Sequence, residues 1–180
     1  MHNRNNREIN YSETKAAWIE NLALEELNME ESGVIHYHDH LDPLPYVEES
    51  SIEFMGMLRE KFEFYLNKFN FYRGNKDVSS IVKIFKISNT VNDFMLFRSS
   101  LKLIVARKAA NVITIGLYSN TGGAFAPRMS MEEMPTNIQH EIHAHIGPFN
   151  EISWRFNGEP VNVDAMVKHY LTEFIKHSAK

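Results

Sequence analysis

The stretch IVKIFKISNTVNDFMLFRSSLKLIVARKAANVITIGLY, residues 81–118, decides the fold class. Within it Ile81–Ser88, Asp93–Ser99, Leu101–Arg107 and Asn111–Tyr118 alternate apolar with polar residues and are rich in β-branched and aromatic side chains. Too few residues separate these segments to build crossover helices. Consecutive strands must therefore join by hairpins, and hairpins make antiparallel sheets. The doubly wound nucleotide-binding architectures are excluded on that ground.

On the C-terminal side, Ile138–Ile146 and Glu151–Phe156 read as two further strands, and Val163 to Ser178 as a helix. That helix presents Val167, Tyr170, Leu171, Phe174 and Ile175 on one continuous apolar face, which a sheet would cover. On the N-terminal side, Ser12 caps an expected helix to Asn28 that carries Ile19, Leu22, Ala23 and Leu27 on one face. Val34–His38 is a candidate short strand, and Asp42-Pro43-Leu44-Pro45 a break in regular structure. Ser50 and Glu53 have capping-box spacing for a second helix, with Met55, Leu58, Phe62, Leu66 and Phe69 at helical intervals up to Gly74. Trp154 is expected in the core beneath the last helix. The expected fold is α+β: an antiparallel sheet of five to seven strands, two N-terminal helices and a C-terminal helix packed on the sheet. Residues 1–11 read as a flexible arm ahead of a single domain spanning 12–180.

Composition narrows the function classes. At 180 residues the chain is long enough to bury a core without covalent staples. It has no cysteine, which removes disulfides, thiolate zinc sites and cysteine nucleophiles. A net charge of −4 argues against nucleic acid as partner, because counterion release needs a basic surface. The first residues lack the apolar core of a signal peptide, and no apolar run is long enough for a membrane span, so the expected compartment is the cytoplasm. Nine histidines are the compositional oddity, and they make a pH-responsive interface a further reading.

Six of those histidines fall in two short runs. His36-Tyr37-His38-Asp39-His40 is one residue short of the His-x-His-x-Asp-His metal pattern, though an extended chain puts its three imidazoles on one side. His140-Glu141-Ile142-His143-Ala144-His145 is one residue short of His-Glu-x-x-His. Read as a strand, it sets Glu141, His143 and His145 on one face, a ligand set suited to a divalent transition metal. The same alternation is also the ordinary polar face of an antiparallel sheet, which is the commoner meaning. His140 has the opposite phase and points to the apolar side, as a buried neutral histidine or a tuned base in a cavity.

The connection from Ser119 to Asn137 is long for a compact domain. It carries Gly122-Gly123, Arg128 for an anionic group, and Met129, Met131 and Met134 as an adaptable apolar contact surface. On the second helix Phe54, Met57 and Tyr65 widen the core stripe while Phe64 and Phe71 have no place in it, and exposure of these two with Met57 would mark a dimer or partner interface. No intact catalytic motif occurs. The first functional expectation is a non-catalytic binding or regulatory module for a protein partner, a second copy of the chain, or a small apolar molecule between helix and sheet. The alternative is a metal-dependent enzyme using Glu141, His143 and His145.

Overall fold

The computed structural model describes residues 5–35, 39–74, 80–119 and 137–179. The chain divides into two units, residues 1–42 and 43–180. The first holds one long helix, α1 (Asn5–Ser32), and a 3-10 turn at Asp39–Leu41. α1 extends beyond the expected span at both ends and closes at Gly33, whose left-handed backbone (φ 68°) lets its N–H reach the Met29 carbonyl. Its apolar side chains Trp18, Ile19, Leu22 and Leu27 are exposed. Val34 and Ile35 form no strand, and 36–38 lie outside the described residues.

The second unit is built from α2 (Leu44–Arg73), seven strands and α3 (Val163–Ser178). The strands are β1 (Lys83–Lys86), β2 (Phe94–Arg98), β3 (Leu101–Ala109), β4 (Val112–Ser119), β5 (Asn137–Ile146), β6 (Ile152–Phe156) and β7 (Glu159–Pro160). They lie in the sheet in chain order, each antiparallel to the next. The fold is therefore α+β with an antiparallel sheet, as the alternating segments require.

Register stacks the apolar phase of each strand into rows on the helix-covered face. Leu96, Leu103 and Leu117 form one row. The next runs Phe94, Val105, Ile115 and His140, and a third Arg107, Ile113 and Ile142. Against these rows pack Phe54, Met55, Leu58, Phe62 and Leu66 of α2 and Val167, Tyr170, Leu171 and Phe174 of α3, closing one hydrophobic core. A one-residue slip of any strand would turn its row to the other face, so burial itself holds the register.

Polar contacts pin the layers at chosen points. Arg107 reaches from β3 to Glu48 and the Ser51 hydroxyl of α2. Its own N–H is held by the buried Asp93 carboxylate at 2.9 Å, beside an irregularity in the β3–β4 pairing. Asn70 clamps the entry to β1 by exchanging two hydrogen bonds with the backbone of Val82.

Two local expectations are corrected, and a seventh strand falls within the expected five to seven. α2 begins at Leu44, not at Ser50, because Pro45 sits in the first turn, where a missing N–H costs no helical bond. The Ser50 hydroxyl instead accepts the Trp154 indole N–H at 3.1 Å. Trp154 is buried, as expected, but it stacks on Phe54 of α2 (centroids 5.1 Å apart) rather than on the last helix. β7 is an added strand of two residues, turned back by Asn157 and Gly158, both at positive φ as a two-residue hairpin turn demands.

The two sheet edges differ from the interior. β1 carries exposed Lys83 and Lys86, and β7 ends in Pro160.

Candidate ligand-binding site

His140 continues the row of Phe94, Val105 and Ile115, and its place there follows from strand alternation plus the β4–β5 register. The imidazole Nδ1 lies 2.5 Å from the Tyr170 hydroxyl, which α3 projects from the apolar stripe it turns toward the sheet. The Phe156 ring meets the imidazole edge-on at 5.3 Å, and the His169 ring meets Tyr170 at the same distance.

Around this pair a cavity of about 280 Å³ lies between α3 and the β5–β7 end of the sheet. Ile142, Phe156, Val161 and Met166 supply most of its apolar wall, and His140, Tyr170, His169, Glu159 and Asn162 its polar points. β7 and the Val161–Asn162 segment, which lead into α3, form one side of it. Asn162 then caps α3, its side-chain oxygen accepting the Ala165 N–H at 3.0 Å. A cavity of about 150 Å³ is enough for benzene, so this one suits a small cyclic or short-chain molecule. Burial pushes the Tyr170 hydroxyl up to about 12, so it stays a neutral phenol at any physiological pH.

Glu141, His143 and His145 share the opposite face of β5, as their spacing predicts, and all three border a second, open cavity of about 640 Å³ with Gln139 and Arg155. Register places His143 between Val112 and Arg155. Within this cluster Glu141 is already engaged: Lys108 Nζ donates to one carboxylate oxygen at 2.7 Å, and His143 Nε2 lies 3.4 Å from the other. The Lys108 hydrogen bond and charge, helped by His143, hold the Glu141 carboxyl below its ordinary pKa. Arg155 Nε is buried with no hydrogen-bond partner among the described residues. Among the described residues no group of three His, Asp or Glu side chains is arranged to hold a metal ion.

Arg128, Met129, Met131 and Met134 lie outside the described residues, as do His36 and His38. His40 stands in the 3-10 turn of the first unit. Met57, Phe64 and Phe71 are exposed on α2. Sequence reasoning placed both His140 and Tyr170 on apolar faces but did not join them. The available signal was that two polar-tipped rings occupied core phases, one on a strand and one on the helix expected to cover it.

Among the described residues, no helix is long and apolar enough to cross a membrane. Comparison of the chain with protein-family models, curated proteins and solved structures finds no match.

Proposed function

We propose that the chain is a non-catalytic binding module that holds a small, largely apolar molecule bearing one polar group between α3 and the β5–β7 end of the sheet. The observation that carries this reading is the His140–Tyr170 pair set in a cavity walled largely by Ile142, Phe156, Val161 and Met166, with Glu159, Asn162 and His169 also on its lining. Sites for small ligands combine an apolar lining with a few placed polar groups in this manner. Where the Tyr170 hydroxyl donates to Nδ1, the ring proton of a neutral His140 sits on Nε2. That nitrogen makes no hydrogen bond to a described residue and is available to a hydroxyl or carbonyl oxygen of the ligand. Tyr170 thereby orients the imidazole, and Phe156 and Met166 supply apolar contact.

The test is titration of the full chain with indole, para-cresol and hexanoic acid, followed by two-dimensional NMR, together with native mass spectrometry of untagged protein. Saturable shifts confined to the residues around His140 support the reading. They should vanish in Met166→Trp, which fills the cavity, and weaken about fivefold in Tyr170→Phe, the worth of one neutral hydrogen bond. A bare protein mass with no response to any of the three probes overturns it. A stoichiometric transition metal lost on Glu141→Ala/His143→Ala would favour the metal-dependent enzyme instead.

A further inference from the structure

The open cleft beside β5 is lined by one carboxylate, Glu141, and one guanidinium, Arg155, and the two do not pair. Lys108 claims Glu141 instead, its Nζ 2.7 Å from one carboxylate oxygen, which leaves Arg155 as the uncompensated charge. No described residue forms an ion pair or a hydrogen bond with the Arg155 side chain, and its Nε is closed off from water as well. Buried polar atoms nearly always have a partner, and a charged group that has lost part of its hydration needs one most.

Register gathers further donors around that charge. His143 stands directly opposite Arg155, with Cβ atoms about 5 Å apart as in other antiparallel pairs. His145 follows on the same face, about 7 Å along the strand. Both imidazoles are exposed and line the cleft. An imidazole carries at least one N–H in either protonation state, so each has a donor for an oxygen. We propose that the cleft binds the oxyanion of a small organic molecule, a carboxylate or a phosphoryl group, with Arg155 as its charged anchor and His143 and His145 as flanking donors. The two Nη atoms of a guanidinium match such a group with parallel hydrogen bonds. A cleft of about 640 Å³ leaves room for the rest of the molecule.

The charge pattern selects an anion over a metal ion. A divalent cation at Glu141, His143 and His145 would have to displace the Lys108 ammonium and settle beside the Arg155 guanidinium, against two positive charges. An oxyanion meets the reverse, because Lys108 has already neutralised the carboxylate that would repel it. Lys108 is thus a positioning residue, which acts on the cleft without lining it. His140 and Phe156 border both this cleft and the cavity at Tyr170, but no group that holds the anion lines the latter.

Titration of the full chain with succinate, glycerol phosphate and glycerol, the last as uncharged control, tests the site at constant ionic strength. The readout is the Arg155 Nε–H resonance and the His143 and His145 amides by NMR. Saturable shifts with one or both anions and none with glycerol are expected, and the stronger anion tells carboxylate from phosphoryl recognition. The shifts should persist in Met166→Trp, which fills the other cavity. Arg155→Gln should weaken binding about tenfold, the worth of a charged hydrogen bond, and Arg155→Lys by less, since the charge stays and the fork is lost. Lys108 is exposed, so circular dichroism of Lys108→Ala should match the parent. That variant frees Glu141 to compete for Arg155 and should weaken the anion about fivefold, with recovery in Lys108→Ala/Glu141→Gln. No saturable shift with either anion overturns the proposal. So do equal shifts with glycerol, or an affinity unchanged by both Arg155→Gln and Lys108→Ala.

Discussion

His140 Nδ1 and the Tyr170 hydroxyl meet at 2.5 Å, a contact that ties the middle of β5 to the middle of α3 across a cavity. Burial pushes the hydroxyl up to about 12, whereas a tyrosine in an unfolded chain ionises near its ordinary value of about 10. The folded state binds the proton more tightly, so its stability is complete below about pH 10 and falls as pH rises toward 12. Replacing Tyr170 by Phe should cost about 1 kcal/mol at neutral pH through the lost hydrogen bond. It should also flatten the alkaline loss. Urea unfolding at neutral and alkaline pH checks both, and an alkaline slope identical in the two proteins would refute the assignment.

Glu141 titrates on the other face of the same strand with the opposite sign. Its carboxyl is held low chiefly by the hydrogen bond from Lys108. The stabilisation from that pair is present above the ordinary carboxylate pKa and fades as pH falls through the depressed one. Lys108→Ala should return the Glu141 titration toward the ordinary range, read from its side-chain carboxyl carbon by NMR. An unmoved midpoint would assign the depression to His143 instead.

Arg98 is only 6% exposed, and its Nε and Nη1 have no hydrogen-bond partner among the described residues. Burial, with repulsion from Arg73, lowers its pKa, and the Phe69 ring lies 5.8 Å from the guanidinium carbon. A buried charge without a hydrogen-bonded counter-ion costs more than an apolar side chain of like volume. Arg98→Met should therefore stabilise the fold by about 1–2 kcal/mol in urea unfolding. A loss of stability of that size would show that the guanidinium has a counter-ion in solution.

The sheet was legible because strand alternation is a local signal. Leu103 and Val105 share a phase, and that phase alone puts them on the buried face beside Leu96 and Phe94. The span Val163–Ser178 was equally plain, since its apolar residues recur at helical spacing. What escaped depended on contacts distant in sequence. The start of α2 turned on Pro45 being tolerated in a first turn, and on Trp154 claiming the Ser50 hydroxyl that would otherwise cap a helix. The candidate site was half legible: alternation correctly grouped Glu141, His143 and His145, and correctly isolated His140. That Tyr170 is the residue His140 meets depends on where α3 crosses the sheet, which no spacing rule encodes.

The edges of the sheet limit how this protein can assemble. Pro160 on β7 has no N–H to offer a new strand, and Lys83 and Lys86 flank the backbone of β1 with charge. Growth by adding strands is blocked at one rim and opposed at the other. A strand from a neighbouring molecule therefore finds no inviting backbone at either edge on which to continue the sheet.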